Sequence, residues 1–318
     1  MSTERLAALA VDVGGSTLKG ALIDRNGQFV RRETVPTPDG GSAAIEAIAS
    51  LIGRLAACAR ADGLRLAGAG VVTPGTVDDT GTVAYAANLG WRDVPLGRLL
   101  TERLGLPVAI GHDVRAAGLA EQLLGGAAGE QDFVYLAIGT GVAAALFTGG
   151  TVLRGTQRTA GELGHIPVHP DGELCTCGQR GCLEVYMSGA GLARRYRART
   201  GAERSAEEII GRAGHDADAA EVWGVAVRTL ALGLATLTLT VDPSAIVLGG
   251  GISRAGQALL GPVRAELDRQ LTWRSAPRLV TTSLGTEAGR IGAAILAFQH
   301  ADAGDVVTSW SKADALVP

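Results

Sequence analysis

Three of the four cysteines in this chain lie within eight residues of one another, and a histidine precedes them. Cys175 and Cys177 are two positions apart, Cys182 follows five positions later, and His165 lies ten positions before Cys175. Three thiolates and one imidazole are the ligand set of a closed tetrahedral zinc site. His169 could replace His165 as the fourth ligand, and the spacing alone does not choose between the two histidines.

Other uses of these thiols are less favoured. A disulfide between Cys175 and Cys177 would be strained, because residues two positions apart rarely reach the geometry of a bridge. A disulfide from Cys182 would need an oxidising compartment, and we expect no signal peptide in this chain. Chance clustering is the remaining alternative to zinc.

Composition and charge describe an ordinary globular protein. The length of 318 residues favours two domains, and 47% apolar residues with a net charge of −3 are typical of soluble chains. The sequence has no basic run, which argues against a nucleic acid or another polyanion as a partner. We expect no membrane segment, because an apolar run such as residues 230–241 is too short to cross a bilayer. A cytoplasmic location follows as an expectation.

Two glycine turns of similar form occur in the two halves of the chain. A predicted strand over residues 6–13 runs into Gly14, Gly15, Ser16 and Thr17 and then into a second strand. A strand from Phe133 runs into Gly139, Thr140 and Gly141 and returns in the same way. These are β-hairpins, so neither is a Walker loop or a Rossmann turn, yet their glycines and hydroxyls allow a close approach to phosphate. The repetition predicts a duplicated domain with a nucleotide between its halves; a hairpin without a ligand is an equal alternative for the first turn.

Asp113 lies between a predicted strand over residues 107–110 and a predicted helix over residues 114–124. In α/β folds, ligands bind outside the carboxyl ends of the strands, so this carboxylate is a candidate functional group. The alternative is an N-cap aspartate, which is common where a helix begins. The two roles are compatible, since a capping side chain can also face a cleft.

Several further elements follow from local patterns. Ser42 is predicted to cap a helix over residues 43–62. Helices are also predicted over residues 254–271 and 289–300, and the tail after Ala303 is expected to be loose.

Six motifs then point to one family. The segment C-T-C-G-Q-R-G-C-L-E at 175–184 fits the pattern C-x-C-G-x-x-G-C-x-E at every fixed position. The other five appear in the matching order along the chain: D-V-G-G-S-T at 12–17, N-L-G-W at 88–91, G-T-G at 139–141, E-L-G-H at 162–165 and V-L-G-G-G-I at 247–252. Over residues 6–300 the chain resembles the ROK family of bacterial sugar kinases and repressors, which belongs to the actin-like ATPase superfamily.

The resemblance implies an α/β, two-lobed actin-like ATPase (ribonuclease H-like) fold with a ligand cleft between the lobes. The small N-terminal lobe would span residues 1–114, with the helix over 289–300 packing back on it. The large lobe would span residues 115–288 and contain the zinc site. A homodimer is also implied by the family.

The resemblance also implies a role for each matched residue. Asp113 matches the catalytic base. The substrate-binding positions are Gly75, Thr76, Asn88, His112, Asp113, Glu162, His165 and Glu184. The positions that would hold ATP and Mg²⁺ are Asp12, Gly14, Gly15, Ser16, Thr17, Gly139, Thr140, Gly141, Gly249, Gly250 and Gly251. The ligands of a structural Zn²⁺ would be His165, Cys175, Cys177 and Cys182, so that His165 would serve both metal and sugar.

Two departures from the family pattern bear on the substrate and the donor. His112 stands where the family usually has Asn before the base, and the second glycine turn continues as G-T-G-V-A-A-A in place of G-T-G-x-G-G-G. The first departure alters the sugar pocket at one edge, and the second makes the phosphate loop bulkier.

The expected function is ATP-dependent phosphorylation of the 6-hydroxyl of glucose or a glucose-like hexose, with an amino sugar such as kanosamine (3-amino-3-deoxyglucose) as one candidate. One alternative is a sugar-responsive transcription regulator of the same family, for which we expect too few residues before the first strand to form a DNA-binding domain. A sugar-binding protein without catalysis is another alternative. Polyphosphate could replace ATP as the donor, and nothing in the sequence selects it.

Overall fold

The structure, a computed structural model, describes residues 5–310 and divides into two compact units. The first unit comprises the residues up to Ala128 together with those from Glu287 onward, and the second is Gly129–Thr286. The predicted division after residue 114 would cut through the helix Asp113–Leu124. This helix instead packs along the C-terminal helix Ala288–His300 and lies wholly in the first unit.

The first unit contains eight strands and five helices among the described residues. The strands are β1 (Leu6–Val13), β2 (Thr17–Asp24), β3 (Phe29–Pro36), β4 (Arg65–Thr73), β5 (Thr76–Val77), β6 (Val83–Ala86), β7 (Trp91–Val94) and β8 (Val108–His112). The helices that precede the second unit are α1 (Gly41–Ala61), α2 (Leu96–Leu104) and α3 (Asp113–Leu124).

The second unit contributes five strands and five helices, after which the chain returns to the first unit. Its strands are β9 (Phe133–Ile138), β10 (Val142–Thr148), β11 (Thr151–Val152), β12 (Ala245–Gly249) and β13 (Arg278–Thr281). Its helices are α4 (Leu183–Met187), α5 (Gly189–Thr200), α6 (Ala206–Arg212), α7 (Ala217–Val241) and α8 (Gln257–Gln270). The last two helices of the first unit are α9 (Ala288–His300) and α10 (Asp305–Thr308).

The main sheets of the two units have the same topology. Their strand orders are β3-β2-β1-β4-β8 and β11-β10-β9-β12-β13. In each sheet the first three strands form an antiparallel meander and the last three run parallel. The meander places a glycine turn between its two inner strands in both units, as expected from the duplicated sequence pattern.

The apolar sequence of β1 explains its place at the centre of the first sheet. In L-A-A-L-A-V-D-V every residue is buried except Asp12, which is partly exposed, and strands covered on both faces read as continuous apolar runs. Helix α9 packs closely on one face of this sheet. Gly70 of β4 allows the approach, because a Cβ at that position would lie 1.8 Å from the carbonyl oxygen of Ala293 in α9. The same helix is pressed on α3, where a Cβ at Gly292 would lie 2.2 Å from the Ala116 oxygen.

Local details of the first unit differ from the sequence-based expectations. Helix α1 begins at Gly41, after Gly40 with φ 93°, and has no side-chain cap, so the prediction that Ser42 caps it is wrong. A glycine at positive φ makes the sharp entry that a serine cap would otherwise provide.

The prediction of a loose tail after Ala303 is also wrong for the residues up to 310. These residues form α10, and the Trp310 indole donates from Nε1 to the Arg25 oxygen at 2.9 Å and packs edge-on against Phe298. An apolar side chain that can be buried against the core outweighs the tendency of chain ends to fray. Residues 311–318 lie outside the described part of the chain.

Two helices are more apolar than the sequence analysis allowed. Both α1 and α7 are long and apolar enough to cross a membrane by length and composition alone. About half of the most apolar stretch of each, 44% in α1 and 56% in α7, is buried inside the fold. Core helices of soluble proteins show the same pattern, so these helices are weak evidence for a membrane.

Candidate functional site

The first glycine turn is held in a defined shape by hydrogen bonds. Gly14 N donates to the Thr17 oxygen at 2.9 Å, which closes the turn between β1 and β2. Thr37 binds the turn from outside: its hydroxyl donates to the Gly14 oxygen at 2.7 Å and its backbone N donates to the Ser16 oxygen at 3.0 Å. Sequence reasoning missed Thr37, because the contact joins positions that no local pattern relates.

Asp12, at the end of β1, lies directly against the first turn of α9. A Cβ at Gly289 would lie 2.7 Å from Asp12 Oδ2, so only glycine allows this approach. Burial raises the pKa of Asp12 to about 6, and the nearby Asp113 carboxylate adds to the rise, whereas Lys19 and Arg290 oppose it. Asp12 and Asp113 therefore form a pair of interacting carboxylates within the first unit.

Asp113 is the first residue of α3, and the residue that caps this helix is His112. The predicted alternative of an aspartate N-cap is therefore wrong. Asp113 Oδ1 accepts a hydrogen bond from Val114 N at 2.7 Å, and 30% of the side chain remains exposed. Burial raises the pKa of Asp113 to about 6, against the opposing effect of the backbone hydrogen bonds and of Arg115. A carboxylate with such a pKa can accept a proton near neutral pH.

His112 is buried, with 8% of its surface exposed, and its ring is oriented by the helix that it caps. Its Nδ1 accepts from Arg115 N at 3.4 Å and lies 3.3 Å from Asp113 Oδ1. The ring is therefore held between the backbone amide of Arg115 and the carboxylate of Asp113.

The segment with Gly75, Thr76 and Asn88 belongs to the small sheet β5-β6-β7. Gly75 has φ 96°, and a Cβ there would lie 2.1 Å from the Tyr85 oxygen, so this turn requires glycine. Asn88 is exposed in a short 3₁₀ turn, and its Cβ lies 3.7 Å from the position of a Cβ on Gly15. The predicted sugar contact Asn88 thus borders the first glycine turn.

The second glycine turn is bound on two sides by elements that follow the cysteine cluster. Gly139 N donates to the Gly141 oxygen at 2.9 Å, and Gly189 N donates to the Gly139 oxygen at 2.8 Å. Val142 N donates to Glu184 Oε2, also at 2.9 Å. The structure therefore places Glu184, predicted as a sugar contact, against the turn predicted to bind phosphate.

The third glycine run is pressed against the end of β9. Gly250 has φ 77°, and a Cβ there would lie 2.4 Å from the Ile138 oxygen, whereas a Cβ on Gly249 would lie 2.1 Å from the Tyr135 hydroxyl. The run leads into a 3₁₀ turn, Gly251–Ala255, and α8 begins at Gln257. The prediction that a helix begins at 254 is therefore displaced by three residues.

The four predicted zinc ligands converge in the second unit. One ligand atom from each of His165, Cys175, Cys177 and Cys182 lies within 4.8 Å of the others. Cys177 Sγ is 3.7 Å from Cys182 Sγ, and Cys175 Sγ is 3.9 Å from His165 Nδ1. Two thiolates at ~2.3 Å from a tetrahedral zinc lie about 3.8 Å apart, so the side chains fit this ion.

The choice between the two histidines, which the spacing left open, is clear from their contacts. His169 Nε2 lies 3.1 Å from the Thr229 hydroxyl, and its ring packs edge-on against Tyr186. His165 directs Nδ1 to the thiols, so its Nε2 is the nitrogen left for another ligand.

Burial raises the pKa of the Cys182 thiol to about 12, and the hydrogen bonds of Cys177 and Cys175 add to the rise. A bound cation would offset this cost, because it stabilises thiolates.

The contacts described above join some of the predicted residues within each unit. In the first unit Asp12 interacts with Asp113, and Asn88 borders the turn at 14–17. In the second unit Glu184 contacts the turn at 139–141, Gly250 packs against Ile138 next to that turn, and His165 lies with the three cysteines. Glu162 immediately precedes the 3₁₀ turn Leu163–His165 and is partly exposed.

Comparisons with known proteins identify sugar kinases as relatives of this chain. The chain is 34% identical over 311 residues to a glucokinase of Streptomyces coelicolor, covering 91% of this chain and 96% of that protein. It is 32% identical over 296 residues to an N-acetylmannosamine kinase of Escherichia coli, covering 92% and 98%. Its structure matches a ROK family glucokinase from Streptomyces griseus, solved in complex with glucose and AMPPNP, with a TM-score of 0.82 and 32% identity over 92% of this chain and 99% of that chain.

The model of the ROK family matches residues 8–300. The family resemblance, the fold class and the enzyme class predicted from the sequence are confirmed. The chain belongs to the ROK family, has the α/β fold of the actin-like ATPases, and is an ATP-dependent hexose kinase.

Proposed function

We propose that this kinase transfers the γ-phosphoryl group of ATP to the 6-hydroxyl of a glucose-type hexose, with Asp113 as the general base. The observation that supports this role is the position of Asp113 at the end of β8, partly exposed and with a pKa raised to about 6 by burial. Such a carboxylate is deprotonated at neutral pH and still basic enough to accept a hydroxyl proton. Phosphoryl transfer also needs alignment and charge neutralisation, which the surrounding residues would supply.

The donor would be held by the three glycine turns, at 14–17, 139–141 and 249–251. Their backbones have no side chains in the way of phosphate, and Ser16, Thr17 and Thr140 add hydroxyl donors. Asp12 would hold Mg²⁺, an ion that binds ATP phosphates and neutralises charge during transfer. The structure is consistent with Mg²⁺ at this position, since Asp12 is a partly exposed carboxylate at the edge of the first glycine turn.

The sugar would be bound by the polar groups that the family resemblance implies. The candidate contacts are Gly75, Thr76, Asn88, His112, Glu162, His165 and Glu184. His165 would use Nε2 for a sugar hydroxyl while Nδ1 binds the metal. Acidic and neutral groups of this kind suit a neutral or cationic sugar better than one that is already phosphorylated.

The cysteine cluster would hold a structural zinc ion. The distances of 3.7 Å between Cys177 Sγ and Cys182 Sγ and of 3.9 Å between Cys175 Sγ and His165 Nδ1 are close to those of tetrahedral coordination. All four candidate ligands are protein side chains, which is typical of a site that fixes structure. Zinc would stabilise the backbone around His165 and Cys182 and so fix the positions of Glu162 and Glu184.

An amino sugar is a second candidate substrate, favoured by His112. His112 stands where the family usually has Asn before the base, so one edge of the sugar pocket would carry an imidazole ring in place of an amide. A neutral imidazole offers one donor and one acceptor to a hydroxyl or an amine near C3 or C4. Kanosamine, which has an amine at C3, is therefore the amino sugar to compare with glucose.

A coupled assay of ADP release with a panel of hexoses and amino sugars would test the proposal. We expect ADP release with glucose or a close relative, and no release with sugars that lack a free 6-hydroxyl. The ratio of kcat/KM for kanosamine over glucose, in wild type and in His112→Asn, tests the second candidate. If no hexose or amino sugar promotes ADP release, the proposed function is wrong; if wild type prefers glucose and the ratio does not change in the variant, His112 does not select an amino sugar.

We also propose a cytoplasmic homodimer without nucleic-acid or membrane partners. The support is the family membership and the absence of a basic run in the sequence. Light scattering coupled to size-exclusion chromatography would give the mass of the assembly, and a monomer at micromolar concentration would contradict this proposal.

A further inference from the structure

The turn at 139–141 ends in an unusual contact with a carboxylate that is distant in sequence. Val142 N donates to Glu184 Oε2 at 2.9 Å across 42 residues. The same oxygen would lie 2.7 Å from a Cβ on Gly141, so the carboxylate touches the turn itself. Glu184 is partly exposed, and its other oxygen has no hydrogen bond to residues 5–310.

Glu184 is in turn fixed by the segment that contains the thiol cluster. It lies in the first turn of α4, and Cys182 is the residue that immediately precedes this helix. Leu183 N donates to the Ile166 oxygen at 3.1 Å, which joins the start of α4 to the residue after His165. Two of the four cluster residues therefore flank the backbone that carries Glu184.

The turn is also packed against the backbone next to His165. A Cβ on Gly164 would lie 2.2 Å from the Val142 oxygen, so the 3₁₀ turn Leu163–His165 contacts the start of β10 at backbone distance. The residues next to the thiol cluster therefore contact Val142 at two backbone atoms. Gly164 lies against its oxygen, and Glu184 accepts a hydrogen bond from its nitrogen. A change in either segment would be transmitted to the turn.

We propose that Glu184 is a positioning residue for the nucleotide: through Val142 it holds the turn at 139–141 in its binding shape and ties that shape to the thiol cluster. This rests on the proposed function, in which the turn binds phosphate. The cluster would then support donor binding as well as the sugar contacts. The role differs from a sugar contact, because it acts on nucleotide affinity when no sugar is bound.

Calorimetric titration of Mg²⁺–ADP without sugar tests the role directly. Glu184→Ala removes the acceptor of the Val142 bond, and we expect about tenfold weaker binding, the usual effect of losing one such bond. Glu184→Gln keeps a carbonyl acceptor and removes a negative charge near the phosphates, so its affinity should equal or exceed that of wild type. Asp171→Ala is the matched control, since it removes an exposed carboxylate from the segment before the cysteines, and Asp171 has no part in the proposed site.

The outcomes separate this inference from the proposed function. If wild type binds no Mg²⁺–ADP, the assignment of the turn to the nucleotide fails. If wild type binds and Glu184→Ala binds equally well, the positioning role is wrong. Equal weakening in Glu184→Ala and Glu184→Gln would also overturn it, because the glutamine variant still offers an acceptor to Val142.

Hydrogen exchange gives a readout that does not depend on a ligand. The peptide that contains Val142 should exchange faster in Glu184→Ala than in wild type or Glu184→Gln, while peptides from β12 stay unchanged. Removal of zinc from wild type with a chelator should accelerate exchange in the same peptide. If exchange of the Val142 peptide does not change after complete metal removal, the thiol cluster does not stabilise the turn.

Discussion

Asp12 and Asp113 show how the fold tunes single residues. Both carboxylates lie where burial disfavours their charged forms, and both have pKa values raised to about 6. The charge of Asp113 adds to the rise in the pKa of Asp12, so the protonation of Asp12 depends on that of Asp113. The fold therefore tolerates an electrostatic cost at the position proposed for the proton acceptor.

Replacement of the base tests its role in turnover. Asp113→Asn preserves the shape of the side chain but is much less basic, so kcat should fall by roughly 10²-fold or more while sugar binding persists. Asp268→Asn, an exposed aspartate in α8, is the control and should not change turnover. Near wild-type turnover of Asp113→Asn would remove it from the mechanism.

The pH dependence of the rate follows from the same pKa. The base must be deprotonated to accept the hydroxyl proton, so kcat/KM should fall as the pH decreases through about 6. A profile of kcat/KM from pH 5 to 8 checks this, with a pH-tolerant coupling system as the control. A rate that is flat down to pH 5 would contradict the raised pKa.

Asp113 should also make the stability of the fold depend on pH. The stability should fall as the pH rises, whereas the rate should rise. The folded-state pKa of Asp113 lies above the unfolded value of 3.8, so the folded state binds more protons between pH 4 and 6 and loses stability as the pH rises through that window. Asp113→Asn should therefore have a Tm a few degrees above wild type at pH 8 and an unchanged Tm at pH 4. Calorimetry at both pH values checks the sign, and a lower Tm at pH 8 would refute it.

Among the elements, short glycine-containing turns and the cysteine segment carry most of the candidate site. Their shapes depend on backbone approaches that only glycine permits, such as Gly289 against Asp12 and Gly250 against Ile138. Regular helices and strands contribute the frame, and the turns between them provide the polar groups. Changes in these elements should therefore affect stability and binding together.

Two adjacent glycines offer a matched test of this dependence. Gly250 has φ 77° and ψ −178°, a region open almost only to glycine, and its Cβ would meet the Ile138 oxygen at 2.4 Å. Gly250→Ala should lower the free energy of unfolding by about 2 kcal/mol or more. Gly251→Ala, where no atom lies within 4 Å of the new Cβ, is the control. Equal effects of the two substitutions on denaturant unfolding would contradict the steric argument.

Metal analysis tests the cysteine segment. We expect about one zinc ion per chain, and Cys177→Ser should lose the metal, much of its solubility and its activity, since structural zinc contributes folding energy directly. His169→Ala should keep the metal, because His169 contacts Thr229 and Tyr186 instead of the thiols. Full activity of a wild-type protein with no metal at this site would refute the zinc assignment.

At the scale of the whole molecule, the two units differ in how the chain builds them. The second unit is one continuous segment, whereas the first is completed by residues from Glu287 onward. Helix α9 covers β1 and β4 and packs along α3. The first unit therefore depends on residues added at the end of the chain.

Truncation should reveal this dependence. A chain that ends at residue 286 lacks α9 and α10, and we expect its first unit to be unfolded because the apolar face of β1 and β4 is uncovered. The second unit should keep its structure and its zinc. Hydrogen exchange by segment measures both, with the segment 129–286 alone as the control; protection of β1 in the truncated chain would show that α9 is dispensable.

The amino-acid sequence alone determined several features that depend on near neighbours. Helix α9 begins one residue before its predicted start, the apolar run of β1 forms the predicted strand, and the cysteine spacing brings three thiols together. The family motifs are also local, so the ROK membership and the kinase class could be read from them. Helix α5 was missed because its four arginines obscure the apolar period, although Ser188 caps it.

Contacts between distant segments needed the tertiary structure. The contacts of His169 with Thr229 and Tyr186, the approach of Gly289 to Asp12 and the bond from Val142 to Glu184 all join positions whose spacing carries no periodic pattern. The raised pKa of Asp113 likewise depends on burial by the whole unit. Local propensities are set by interactions within a few residues, whereas these contacts exist only after the helices and strands have packed.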